Sequence, residues 1–139
     1  MKTTLKINLD AVLERIYAES AWRAAHRDDV YTLTPDNERM LSIKVGQALN
    51  ELLARMAGYV TEWNYNPNLL EENIWLTLQI DVPVDEATLK GAITEALAFN
   101  ALLQFYGEQD TYYGTAWRKH RAHVMLLLFN AQCTMHNAQ

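Results

Sequence analysis

The chain has only one cysteine, three prolines and five glycines among its 139 residues. A single cysteine, Cys133, cannot form an internal disulfide, so a fold held together by disulfide bridges is excluded. Proline and glycine are the residues that most often interrupt regular structure. Their scarcity therefore predicts long helices or strands.

Long hydrophobic runs are also missing. An uncharged, apolar-rich stretch covers residues 96 to 107, which is shorter than the ~20 residues that a helix needs to cross a bilayer. Near the start, Asn8, Asp10, Glu14 and Arg15 interrupt what would otherwise be an apolar segment of signal-peptide length. The sequence thus favours a soluble protein made inside the cell, without a membrane segment.

Positive charge is in deficit, because 12 Lys and Arg face 17 Asp and Glu and give a formal net charge of -5. Binding to duplex DNA is dominated by cations that neutralise phosphates, so we expect no sequence-specific nucleic-acid binding. Half of the residues are hydrophobic and 21% are charged, as in a folded domain. A chain of this length buries roughly 68 to 70% of its unfolded surface, which predicts one helical domain over residues 1 to 139.

Apolar residues at helical spacing predict four helices. The predicted ranges are 9 to 25, 35 to about 62, 86 to 106 and about 111 to 131. Asn8, Thr34 with Pro35, and Asp85 are suited to begin the first three helices, and Gly107 is suited to end the third. The third helix is apolar on nearly all sides, so we expect it to be the most buried element.

One stretch breaks the helical pattern: NIWLTLQIDVP, residues 73 to 83, alternates apolar and other side chains. Period-two alternation predicts a strand over residues 73 to 82, ended by Pro83. The residues expected to face the core are Ile74, Leu76, Leu78, Ile80 and Val82. The fold class predicted is mainly α, a four-helix bundle-like single domain with a small β element that contains this one clear strand.

A single strand needs a neighbour, because its unpaired backbone N–H and C=O groups must find partners. Residues 3 to 7 or 30 to 33 could pair with it inside the chain, or one of its edges could pair with another copy. In the second case Trp75, Thr77 and Gln79, on the outward side, are predicted to contact the neighbouring subunit. Trp75 would be the anchor, since buried Trp is enriched among residues that dominate interfaces.

Motifs for catalysis and metal binding are weak. His120 with His123, and Cys133 with His136, are spaced by three residues, but a zinc site needs four converging ligands. The serines lack the glycine turn of a G-x-S-x-G nucleophile, and no glycine-rich phosphate loop is present. Adjacent acids, expected to be caps or solvated groups, occur at Asp28-Asp29, Glu71-Glu72 and Asp85-Glu86. We therefore predict no enzyme activity, no catalytic residue, no cofactor and no metal.

A dense basic cluster, WRKHR, occupies residues 117 to 121 of this acidic chain. Arg118, Lys119 and Arg121 are predicted to contact a charged partner, either an acidic protein surface or DNA that passes nearby. A solvated helix face is the alternative interpretation of the same residues.

Two segments resemble small virion proteins of tailed bacteriophages and prophages, of the head-tail connector or adaptor type. One begins DEATLKGAITEALAFNALLQFYGEQD and continues into the fourth predicted helix; the other is RIYAESAWRAAHRDDVYTLTPDNERML. In that group a helix rich in small residues precedes an acidic turn and a final amphipathic helix. The likeness is carried by Ala92, Ile93, Ala96, Leu102, Phe105, Tyr106 and Asp110. No residue matches a portal-docking motif.

The resemblance implies a non-enzymatic protein that assembles into a ring between portal and tail, around a channel that conducts DNA. Its partners would be further copies of itself and other virion proteins such as portal or tail components. It would be made in the host cytoplasm and located in the virion. The alternative function is a small helical adaptor, monomeric or dimeric, that binds another protein through a groove between helices. A small enzyme with a pocket between helices is a third possibility.

Overall fold

The computed structural model describes residues 2–27, 32–67, 72–80 and 85–138, with side chains as far as residue 130. Its elements, in order, are β1 (Lys2–Asn8), α1 (Leu9–His26), a one-turn 3-10 helix (Pro35–Asn37), α2 (Glu38–Arg55), β2 (Val60–Asn64), β3 (Asn73–Gln79), α3 (Glu86–Tyr106) and α4 (Thr111–Ala138). The prediction of a mainly helical protein with a small β element is confirmed.

The helix boundaries follow from local capping. Asn8 caps α1 and Asp85 caps α3, because each side chain accepts a backbone N–H of the first turn. Thr34 and Asn37 cap each other reciprocally ahead of α2. Gly107 ends α3 at φ 108°, a conformation that a residue with a Cβ rarely adopts. The first and third helices therefore lie where they were predicted, whereas α4 is longer than expected.

The second helix ends at Arg55, so its prediction is wrong beyond that residue. Tyr59 N–H donates to the carbonyl of Met56 at 2.8 Å and closes a turn, after which β2 begins. The apolar residues after Arg55 continue the helical spacing, but β-branched and aromatic side chains such as Val60 and Trp63 also suit a strand. Pairing with β3 decides between the two structures, because it provides partners for the backbone of β2.

The sheet has three antiparallel strands in the order β1-β3-β2. The β1 register pairs Lys2 with Gln79 and Asn8 with Asn73. The β2 register pairs Asn64 with Trp75 and is interrupted by a bulge between residues 60 and 62. Both edges of β3 are therefore paired within the chain. The small β element thus has three strands rather than the one clear strand that was predicted, and the strand's partners come from inside the chain, which was one of the two alternatives.

Of the two segments predicted to pair with this strand, residues 3 to 7 do so as part of β1. In the segment 30 to 33, residues 30 and 31 lie outside the described residues, and Thr32 and Leu33 are in no strand. Strand β3 ends at Gln79, before the predicted end at residue 82; Asp81, Val82 and Pro83 also lie outside the described residues.

The inner face of the sheet and all four helices share one hydrophobic core. The sheet residues in it are Leu5, Ile7, Ile74, Leu76 and Leu78, each at most 1% exposed. Helix α3 has ten buried residues and packs against α1, α2, α4 and β1, as its apolar sequence predicted. The bundle-like arrangement predicted for the four helices is not confirmed, because the sheet also lines this core.

Candidate interaction surfaces

The outer face of the sheet is the side opposite its buried residues. Trp75, Thr77 and Gln79 of β3 lie on it, as the alternation predicted, and Trp75 is 43% exposed. From β1, the exposed side chains of Lys2, Thr4, Lys6 and Asn8 lie on the same face, since residues paired in register share a side. Whether this face binds a neighbour stays a prediction.

Polar rows cross this face from strand to strand. The hydroxyl oxygens of Thr4 and Thr77 lie 3.3 Å apart, and Glu62 of β2 is opposite Thr77 on the other side. In the next row Trp75 lies between Lys6 and Asn64. Among the described residues that point outward from the sheet, Trp75 is thus the one large apolar side chain.

A second exposed tryptophan, Trp63, pairs in register with the buried Leu76, so it belongs to the opposite side of the sheet, but it lies in the edge strand β2 and is 50% exposed. It borders a depression of about 110 Å³ that Trp75 and Thr77 also line. It also borders a second depression, of about 180 Å³, against Ile43 and Pro67. The name Trp75 surface is used below for Glu62, Trp63, Asn64, Trp75 and Thr77. Its β2 members were not predicted from the sequence, because the second predicted helix extended to about residue 62 and no strand was predicted directly after it.

The three basic residues predicted on α4 differ in exposure. Arg118 and Lys119 are exposed, whereas Arg121 is half-buried with its guanidinium 5.7 Å from the centre of the Trp117 ring. Burial lowers the pKa of Arg121, and the charges of Arg55 and Arg118 lower it further, while the charge of Glu51 opposes them. Arg55, at the end of α2, therefore belongs to this basic region, although it is remote in sequence.

Lys119 lies instead on a groove of about 710 Å³ between α1, α3 and α4. Within the groove, the Nε of Arg15 donates to Glu95 at 2.8 Å, and its Nη1 lies 3.4 Å from the carboxylate of Glu19. The Tyr112 hydroxyl donates to the other oxygen of Glu19 at 2.7 Å. These charged groups largely satisfy one another, so the groove is polar but close to neutral.

His120 also lines this groove, with its ring stacked on Phe99 at 4.7 Å between centroids and 10° between planes. Burial lowers the pKa of His120, and the negative charge of Glu95, which raises it, is too weak to cancel this effect. A neutral imidazole stacked on an aromatic ring is a packing element. Catalysis by His would in addition need a nucleophile or substrate atom within hydrogen-bond reach.

In the part of the chain that the structure describes, no three His, Cys, Asp or Glu side chains come together as a metal site would require. The side chains of Cys133 and His136 lie outside that part, as do Asp28, Asp29 and Glu71. None of the described helices combines the length and the apolar character needed to cross a bilayer. Comparison of the chain with protein-family models, with curated proteins and with solved structures gave no match.

Proposed function

We propose that the protein is a non-enzymatic assembly subunit that binds a neighbouring protein molecule, most simply another copy of itself, through the Trp75 surface. The observation that carries this proposal is the exposure of Trp75 on a sheet face whose other outward side chains are polar. Antiparallel sheets can face water on one side, but such a face normally carries polar residues. A rigid exposed Trp in its middle is better explained as an anchor.

The position of Trp75 also suits an anchor energetically. It lies in the central strand, paired on both sides to β1 and β2, so its backbone is already ordered before binding. Preorganisation lowers the entropy that association must overcome. The hydrogen-bonding groups of Asn64 and Thr77 and the charges of Lys6 and Glu62 surround the ring. A buried aromatic centre with a polar rim is the usual anatomy of an interface.

The particular assembly that we propose is a head-tail connector or adaptor ring of a tailed-phage virion, and it rests on the sequence resemblance. In that assembly the Trp75 surface would contact the next subunit. Gln79, at the end of the same face, and the basic residues of α4 would extend the contacts to further copies or to portal and tail proteins. Contacts made by β3 would use side chains of the sheet face, because β3 is the central strand and pairs with β1 and β2 within the chain.

The groove between α1, α3 and α4 favours a second candidate function, a monomeric or dimeric adaptor that binds a segment of another protein there. Phe99 and His120 supply an aromatic wall, while Lys119 is exposed at the side. A protein segment that carries a carboxylate beside an apolar side chain would fit this combination. The adaptor would contain one or two copies, whereas a ring needs many.

The test is the molar mass of the wild-type chain and of two tryptophan variants, by light scattering and sedimentation velocity. We expect a wild-type oligomer whose mass falls in Trp75→Ala while the helical circular dichroism is unchanged. Trp22→Ala is the matched control, because Trp22 is 50% exposed but lies on α1. A monomeric wild type at every concentration, or equal masses for Trp75→Ala and wild type, would contradict the proposal.

A further inference from the structure

A second exposed surface lies on α4. From Arg118 to residue 130, five side chains of this helix are exposed on one face, because their spacing places them within about 100° of one another at 3.6 residues per turn. They are Arg118, Lys119, Ala122, Leu126 and Phe129, called the α4 surface below. Leu126 and Phe129 are 54% and 56% exposed. The face thus combines two cations with an apolar stripe, and no described element covers it.

Charge is distributed unequally between α4 and the other elements. Of the 12 Lys and Arg in the chain three are in α4, and none of the 17 Asp and Glu is, so the rest of the chain carries a formal charge of -8. A basic surface on an otherwise acidic molecule attracts the acidic part of another copy. Two α4 surfaces, by contrast, would repel each other.

An acidic surface of suitable character lies at the beginning of α1 and α2. Asp10 and Glu14 are exposed one turn apart on α1, where like charges repel. Burial raises the pKa of Tyr17, and the charges of Glu38 and Asp10 raise it further, so both of these carboxylates act on the Tyr17 hydroxyl. Among the described residues neither these two carboxylates nor that of Glu14 makes an ion pair. Ala11 is exposed between Asp10 and Glu14 and leaves space for an incoming apolar side chain.

We propose that the α4 surface of one copy docks on this acidic surface, Asp10, Ala11, Glu14 and Glu38, of a second copy. Arg118 and Lys119 would meet the carboxylates, while Leu126 and Phe129 cover the exposed side of α1. The two halves of this contact are different patches, so each copy can bind two others. Contacts of this heterologous kind close into rings or extend into filaments. The inference rests on self-association as the proposed function but uses residues outside the Trp75 surface.

A protein partner fits the α4 surface better than nucleic acid does. Phosphate groups would satisfy Arg118 and Lys119, but they offer nothing to the exposed apolar stripe of Leu126 and Phe129. Burial of that stripe is worth roughly 25 cal/mol for each Å² removed from water. The net charge of -5 also opposes the approach of a phosphate backbone.

A charge exchange between two exposed residues tests the inference. Arg118→Glu and Glu14→Lys should each weaken association of the full chain at least about tenfold, since like charges then face each other in the contact. The double variant restores opposite charges and should recover most of the association. Sedimentation velocity of the four proteins, at ~0.1 M and ~1 M salt, measures the effect, and high salt should weaken the wild-type contact. Circular dichroism verifies that each variant is folded.

Four results would overturn this docking arrangement. The first is a single variant whose oligomer mass equals that of the wild type, and the second is a double variant that associates no more strongly than the single variants. The third is an Arg118→Glu variant that loses binding to a duplex DNA probe without any change in oligomer mass. The fourth is a wild type that is monomeric. If Trp75→Ala lowers the mass while Arg118→Glu does not, the proposed function stands and only the α4 contact is wrong. If Arg118→Glu lowers the mass while Trp75→Ala does not, the α4 contact is supported and the Trp75 surface is not the interface. A monomeric wild type contradicts both.

Discussion

The guanidinium of Arg23 on α1 lies 2.9 Å from a carboxylate oxygen of Asp110, the residue that precedes α4. The other carboxylate oxygen of Asp110 accepts the Tyr113 N–H at 3.0 Å and caps α4. Arg23 is 5% exposed, and its guanidinium lies 4.4 Å from the centre of the Tyr113 ring. One carboxylate therefore fixes α1 against the beginning of α4, in surroundings that exclude most water.

Removal of the Asp110 carboxylate should strongly destabilise the fold. In Asp110→Ala the buried Arg23 charge loses its partner, which typically costs ~3–5 kcal/mol, and α4 loses its cap, worth ~1 kcal/mol. Urea unfolding measures the difference in free energy. Glu108→Ala is the matched control, because Glu108 is an exposed acid in the same connection and should change stability by less than ~0.5 kcal/mol. Equal stabilities of the two variants would contradict this role of Asp110.

The same carboxylate should make stability depend on pH in the acid range. Burial alone would raise the pKa of Asp110, but the hydrogen bonds from Arg23 and from the Tyr113 N–H, together with the Arg23 charge, outweigh it and lower the pKa. A lowered folded-state pKa stabilises the fold fully above the unfolded value, about 3.9, and this stabilisation is lost as pH falls through the folded-state pKa.

We therefore expect the free energy of unfolding of the wild type to fall below about pH 4, and to fall less in Asp110→Asn. Urea titrations at a series of pH values provide the comparison. Asp85→Asn is a useful second variant, because the hydrogen bonds from Thr88 and Ala87 also lower the pKa of Asp85, but at the exposed beginning of α3. If the free energies of unfolding of wild type and Asp110→Asn change in parallel with pH, the pKa of Asp110 is the same in the folded and unfolded states, and the prediction is wrong.

Replacement of two glycines by alanine should change the free energy of unfolding in opposite directions. Gly107 has a φ of 108°, and an added Cβ would lie 2.9 Å from the side-chain amide of Gln109, so Gly107→Ala should cost ~1–3 kcal/mol. Gly91 is exposed inside α3, and an added Cβ there meets no atom within 4 Å. Gly91→Ala should therefore stabilise the protein by ~0.5–1 kcal/mol. Thermal and urea unfolding of both variants give the two signs, and a stabilising Gly107→Ala would contradict the backbone assignment.

Alanine substitution of two leucines should distinguish the contribution of core packing from that of association between copies. Leu76 of β3 is fully buried, so Leu76→Ala leaves a cavity and should cost ~2–5 kcal/mol of unfolding free energy. Leu126 of α4 is 54% exposed, so Leu126→Ala should change stability by less than ~0.5 kcal/mol. The Leu126 variant should instead lower the oligomer mass, if the α4 surface binds a second copy. A large loss of stability in Leu126→Ala would mean that this side chain is part of the core.

Much of the helical structure could be predicted because its signals are local. Asn8 and Asp85 begin helices through their own side chains, and Gly107 ends one through its own backbone. Strand β2 could not be found in this way. Val60 and Trp63 continue the helical spacing of the residues before them, and only the pairing with β3 makes the extended conformation favourable.

The candidate surfaces depend on contacts between remote parts of the chain, so the sequence predicts them in part. The alternation around Trp75 correctly placed its side chain outside, but Glu62 joins it only through the sheet register, and Trp63 only through the depression that both tryptophans line. Arg55 approaches Arg121 because α2 and α4 both pack on α3. No spacing rule in the sequence connects these two residues.

The pairing of β1 with β3 has a consequence for how the protein is made. Thr4 and Thr77 touch across these strands although 73 positions separate them along the chain. During synthesis β1 therefore has no hydrogen-bonded neighbouring strand until β3 has emerged from the ribosome. Helices α1 and α2, of 18 residues each, also draw most of their stability from tertiary packing, which is incomplete at that stage. The first half of the nascent polypeptide is therefore the interval in which a chaperone would be of most use.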